Sequence, residues 1–226
     1  MNRRTPFALL GAILLALAVP AAALAAGPAV TVRIEGKGKT LVVPTTVHAH
    51  SGFITKFGAP GGKCPDQTAQ GALDVATHGH WSGTWNTQFN EYFINSILGE
   101  KPPGHDFWDI FVDNKPAQLG ACDLNLHAGE QVLFADESGK VNPASLTAPH
   151  TAMVGKPFRV KLVGYNAKGT AKPLAGVLIT GNGGIIPVKT DRQGNANVIA
   201  PSVGKVVLRA GPKGYVRTEA VVRISA

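Results

Sequence analysis

Two pairs of histidines share one spacing, His48-x-His50 and His78-x-His80. On an extended strand, residues i and i+2 point to the same side, so each pair offers two imidazole nitrogens suited to Zn²⁺ or Cu²⁺. The four residues make a site only if their segments meet. Both pairs lie near Gly or Ser, the usual setting of exposed loop histidines. His78 also suits a helix C-terminus, where the dipole favours a cation. Asp106, Asp109 and Asp113 fall in one run, and the last two would share a strand face. Asp113, however, opens an Asp-Asn-Lys-Pro turn, where Asp is ordinary. Gly79-His80-Trp81-Ser82-Gly83 carries its serine one place late for a nucleophile elbow. There is no H-E-x-x-H, no phosphate-binding loop and no G-x-G-x-x-G following a strand. The expectation is a non-enzyme without a cofactor, with no metal site favoured.

The aromatic residues carry the stronger signal. Trp81, Trp85, Tyr92 and Trp108 include all three tryptophans of the chain. A flat aromatic platform suits a carbohydrate, a polyprenyl chain or a protein partner. Trp108 sits in an apolar run and is expected in the core. Trp81 and Trp85 stand among Ser, Gly, Thr and Asn and are expected to face a ligand.

The elements that must position these residues are mostly short strands. Val30, Val32 and Ile34 alternate with polar residues, as in a half-buried strand. A second extended stretch, Thr40–Val47, is interrupted by Pro44 and belongs at a sheet edge. Ala69, Ala72, Leu73 and Ala76 form one apolar helical stripe, with Asp66 as its cap and Gly79 as its stop. Gly71 should weaken that helix by about 1 kcal/mol relative to Ala. Phe89, Tyr92, Phe93, Ile94 and Ile97 suggest a strand or hairpin, and Phe107–Val112 a further strand. From Glu137 to His150 the chain turns polar and small, which marks a domain boundary. Beyond it, short alternating strands separated by Gly-rich turns, with no helix, argue for a β-sandwich.

The ends and the charge bound the compartment and partners. Arg3-Arg4, an apolar run from Phe7 to Val19 and the small residues Ala21–Ala26 read as an export signal over residues 1–25. About 13 apolar residues are too few for a membrane span, which needs ~20. The twin-arginine route and ordinary export both remain open. Cys64 and Cys122 are the two cysteines. In an oxidising compartment they are expected to form a disulfide, with two buried thiols as the alternative. The net charge is +8, but the basic residues do not cluster. Many alternate along strands, such as Lys205 and Arg209, or Arg217 with Glu219 and Arg223, as on a solvated sheet face. Nucleic acid is therefore not an expected partner.

Val32-Arg33-Ile34-Glu35-Gly36, Thr68 with Ala72-Leu73, Phe107-Trp108-Asp109-Ile110-Phe111-Val112-Asp113-Asn114 and Gly129-Glu130 together resemble the transcobalamin-like C-terminal domain family, found in many bacterial secreted and surface proteins. The resemblance runs from Val30 to Asp136 and implies a small β-grasp-like sheet with one helix. In the vitamin B12 carriers such a domain caps cobalamin held against a helical barrel; this sequence has no such barrel, and its turn reads Asp113-Asn114-Lys115 where the family has Asn-Gly. From Ala144 to Ala226, Val154–Val160, Pro173–Val177, Thr190–Ala196 and Gly214–Arg217 resemble bacterial immunoglobulin-like or carboxypeptidase-regulatory-like sandwich domains, which usually serve as spacers or adhesion modules.

The expected architecture is mainly β: a β-grasp-like α+β domain over 28–137, then an Ig-like sandwich over 142–226. The expected function is a secreted or cell-surface binding or adhesion protein, monomeric and without a membrane anchor once the signal is removed, with an aromatic surface for an unknown ligand or partner. Two alternatives are a structural surface protein without a small ligand and an extracytoplasmic metal-binding protein using the paired histidines.

Overall fold

Alternation along the first strand decides which way the first sheet faces. A computed structural model describes residues 27–104, 106–136 and 141–226. The expected export signal lies outside these residues. Strand β1 (Ala29–Glu35) buries Val30, Val32 and Ile34. Strand β2 (Thr40–His48) pairs with it antiparallel and forms a sheet edge, where Pro44 loses no interior ladder bond. Helix α1 (Ala69–Ala76) follows, then the strands β3 (Trp81–Asn86) and β4 (Glu91–Ile97), β5 (Trp108–Val112), β6 (Lys115–Pro116) and β7 (Gln131–Asp136). The sheet order is β2-β1-β7-β5-β6, with β1 and β7 parallel at its centre. Ala69, Ala72 and Leu73 of α1 pack in one core with Val30, Val32, Ile34, Val132 and Phe134 of the sheet. A mixed sheet with one helix on its face is the expected β-grasp arrangement. Strands β3 and β4 form a separate two-stranded hairpin.

The helix starts differently from the sequence reading. Its N-cap is Thr68, not Asp66, and no side chain caps it. The Thr68 hydroxyl instead donates to Pro65 O at 2.6 Å. The first helical N–H groups find backbone partners: Ala69 N donates to Leu124 O and Gln70 N to Ala121 O, at 2.9 and 3.0 Å. That loop is held in place by the Cys64–Cys122 disulfide, whose Cα atoms are 4.8 Å apart. The expected disulfide is therefore present, and it sets the loop that caps the helix. It closes a separation of 58 residues, and the chain-entropy account gives such a closure about 4 kcal/mol. Gly71 has a positive reason to be glycine. A Cβ there would fall on the backbone carbonyl of Asp66.

The second half is a β-sandwich. Its strands are β8 (Ala144–Thr147), β9 (Thr151–Met153), β10 (Pro157–Tyr165), β11 (Ala171–Pro173), β12 (Leu178–Gly181), β13 (Val188–Lys189), β14 (Asn195–Ile199), β15 (Gly204–Ala210) and β16 (Thr218–Ser225). One sheet runs β11-β10-β14 with β8 also on β10, and the other runs β13-β12-β15-β16-β9. Val160, Leu162 and Val198 of the first face Ile179, Leu208 and Val222 of the second across one core. Strand β8 lies within the polar, small-residue stretch taken as the boundary; its Ala144 and Leu146 are buried.

Each half thus has its own core, and a third apolar cluster joins them. Phe111, Leu133 and Ala135, on the sheet face away from α1, pack with Val216 and Val141. Expressed separately, residues 27–141 and 142–226 should each unfold cooperatively, the first at a lower midpoint than in the intact chain. A piece with no cooperative transition would show that this seam is required for folding. Gly71→Ala, which in an open helix would gain about 1 kcal/mol, should here cost ~1–3 kcal/mol by overpacking, read from denaturant midpoints.

Candidate functional site

Tyr92 is the hub of an aromatic cluster on one face of the β3–β4 hairpin. Its ring meets Trp81 and Trp85 edge-on, each with centroids 5.0 Å apart, and Phe57 at 6.5 Å. Phe57 also meets Trp81 at 5.2 Å. Such edge-to-face pairs contribute about 0.5–1.5 kcal/mol each beyond area burial. Trp85 and Tyr92 stand directly opposite each other in the hairpin ladder. The Tyr92 hydroxyl donates to Lys56 O at 2.6 Å. Burial, with the Asp74 and Glu91 carboxylates nearby, pushes this phenol up to about 12. It stays protonated as a donor and has no acid–base role near neutrality.

Two carboxylates hold the hairpin down. Asp74 of α1 accepts the indole Nε1 of Trp81 at 2.7 Å and pairs with the Lys56 ammonium, which sits 5.5 Å over the Trp81 ring. Glu91 accepts the backbone N–H of Tyr92 at 2.7 Å and of Cys122 at 2.8 Å. Burial raises the Glu91 carboxyl, against these two bonds. The hairpin tip closes on Asn86, whose Oδ1 accepts from Gln88 N and Phe89 N.

The structure moves two expected ligand-facing residues inward. Trp81 is only 4% exposed. Its small neighbours make room for the ring: a Cβ at Gly83 would press on both the Trp81 ring and the Phe93 carbonyl. Tyr92 is buried as well, and Trp85 is half-buried. Trp108 is buried in the sheet–helix core, as expected, and among the described residues it makes no ring contact with the other three. The four candidates therefore do not form one open platform. Among the described residues, the indole Nε1 atoms of Trp85 and Trp108 are shielded without a hydrogen-bond partner.

Phenylalanines carry the exposed aromatic surface instead. Phe57 is 46% exposed, Phe89 60% and Phe93 58%. Phe57 lies in a single 3₁₀ turn (Lys56–Gly58) with φ of 51°, an uncommon conformation that keeps its ring against Trp81. Phe93 falls between Tyr92 and Ile94, so the period of two turns it to the outer face of the hairpin. That signal was readable from the alternation. The exposure of Phe57 was not, because it depends on how a glycine-rich loop folds back over the hairpin.

The histidine pairs do not converge. His48 ends β2 and His50 follows it, near Asp66 just before α1; burial raises the Asp66 carboxyl. His78 and His80 follow the other end of α1, about 12 Å away along an eight-residue helix. No group of three or more His, Cys, Asp or Glu residues suited to a metal ion occurs among the described residues. No helix among them is long and apolar enough to cross a membrane.

Residues 73–138 match the family model described as Domain of unknown function (DUF4430). This is the transcobalamin-like family. The match runs from within α1 through both hairpin strands to β7, so it takes in Trp81, Trp85, Tyr92, Trp108 and Cys122. It covers less than a third of the chain. No curated protein matches the chain.

The burial pattern makes a direct test. Trp81→Ala should cost ~3–5 kcal/mol, the scale of a buried aromatic truncation, and Trp85→Ala roughly half that. Melting of the two variants decides it; equal, small losses would return Trp81 to the surface.

Proposed function

We propose that this is an exported, non-enzymatic binding or adhesion protein whose β-grasp domain offers the β3–β4 hairpin to a ligand or surface partner. One observation carries the reading. Phe89 and Phe93 stand more than half exposed, and Phe57 nearly half, on and beside a hairpin that joins no larger sheet. Beneath them Tyr92, Trp81, Asp74, Glu91 and the disulfide loop hold the backbone rigid. Exposed apolar groups on a rigid base lose little freedom on binding, which favours recognition. The second half serves as a spacer, and the secreted or cell-envelope location rests on the leader sequence.

Tyr92 and Trp81 support this surface rather than form it, and Trp85 stands at its margin. The separation of the histidine pairs leaves the metal-binding alternative without support. The structural-protein alternative is the outcome in which nothing binds.

The test uses the whole exported chain. Tryptophan fluorescence is titrated separately with cobalamin, with a cell-wall oligosaccharide and with a polyprenyl phosphate. A saturable change with one of these, lost in Phe89→Ser/Phe93→Ser while the melting temperature stays within about 2 °C, is the expected result. Binding that survives the double substitution would place the site elsewhere. Silence with every probe would favour the structural alternative.

A further inference from the structure

The polar side of β1 does not face water. Arg33 and Glu35 point away from α1, onto the second domain. Arg33 Nη1 donates to Ala144 O and to Thr218 Oγ1, both at 2.9 Å. From the other side Arg217, just before β16, donates Nη1 to Gly38 O at 2.6 Å. Its Nη2 lies 3.5 Å from Glu35 Oε2 and 3.4 Å from Thr40 Oγ1. Glu35 is 1% exposed. Each domain therefore extends an arginine into the other, and Glu35 lies between the two guanidinium groups.

The fit around Glu35 is incomplete. Its Oε2 accepts the Thr40 hydroxyl at 2.7 Å. Its Oε1 is 3.7 Å from Arg33 Nε and, like Arg217 Nε, has no hydrogen-bond partner among the described residues. Well-formed guanidinium–carboxylate bonds are ~2.7–2.9 Å. Glu219, itself paired with Arg209 at 2.8 Å, adds a like charge. Tyr165 of β10 faces Arg33. Lys39, in the adjoining turn, is turned toward Glu100.

We propose that Glu35 is a pH-responsive latch at the domain junction, holding the two domains together most tightly in acid and loosening as the pH rises.

Two long ion pairs and one hydroxyl do not offset the loss of water, so burial is the largest effect and pushes the carboxyl up from its ordinary 4.5 to about 7. The sign follows from linkage. A carboxyl whose affinity for a proton is higher in the closed form makes closing take up a proton. Its contribution is full below about 4.5 and is lost as the pH rises through about 7. The protonated acid still occupies its place beside Thr40 and Arg217, while Arg33 keeps its bonds to Ala144 and Thr218. The ionised form must hold a buried charge with one oxygen unsatisfied. The apolar seam of Phe111, Leu133, Ala135 and Val216 is common to both forms, so the latch adjusts a junction that already exists.

Hydrogen exchange of the full exported chain at pH 5.5 and 8.5, corrected for intrinsic rates, reads the junction directly. Peptides spanning 109–113, 131–136 and 214–218 should exchange about tenfold faster at the higher pH. Peptides 70–76 and 158–162, from each domain's own core, should not change. In Glu35→Gln the junction difference should disappear. A wild-type junction with no pH dependence, or an equal dependence in Glu35→Gln, would overturn the proposal. Carboxyl carbon NMR of the wild-type chain covers the case in which that variant fails to fold. Glu35 should titrate near neutrality; a midpoint in the ordinary carboxylate range would equally overturn it.

Discussion

Both faces of the first sheet are covered, and that double coverage governs the rest of the molecule. Strand β1 turns Val30, Val32 and Ile34 to the helix and Arg33 and Glu35 to the second domain. An antiparallel edge sheet commonly leaves one face in water; a sheet covered on both sides must satisfy every polar group it presents. The arginines do so by reaching for backbone carbonyls across the junction. The carboxylate does so only in part. The junction therefore combines an apolar seam that excludes water with a charged cluster that specifies orientation.

The opposite side of the domain solves a different problem. A two-stranded hairpin is only marginally stable by itself. Here it is anchored by Asp74 and Lys56 on Trp81 at its base, by Glu91 on Cys122 near its tip and by the disulfide that fixes the loop beneath. The same loop supplies the carbonyls that start α1. Helix, disulfide loop and hairpin are thus coupled, and a change at Cys64 would reach the aromatic cluster through Cys122 and Glu91. The cost of ordering the hairpin is met within the domain, which leaves its outer phenylalanines free of structural duty.

Much of this was legible beforehand. The alternation of Val30, Val32 and Ile34, the edge position required by Pro44, a strand or hairpin over Phe89–Ile97 and the cysteine pairing all follow from local pattern and the number of cysteines. The turn at Asp113-Asn114 is another case: both residues take positive φ, 47° and 63°, as a tight two-residue hairpin turn demands. The candidate site was only half legible. The aromatics of the hairpin stand out in the sequence, yet small polar neighbours read as a sign of exposure. At Gly83 smallness instead admits the Trp81 ring.

Most strands, helix α1 and the disulfide are legible in the sequence, because they depend on period, turn chemistry and the number of cysteines. What covers each face emerges only when the chain is folded. Alternation reports that two sides of a strand differ, but a side bearing Arg and Glu reads the same whether it meets water or a second domain that brings its own Arg. Arg217 and Glu219 read as a solvated stripe and lie at the junction instead, for that reason. Burial of a charge depends on partners far apart in the chain, and Glu35 and Arg217 are separated by 182 residues.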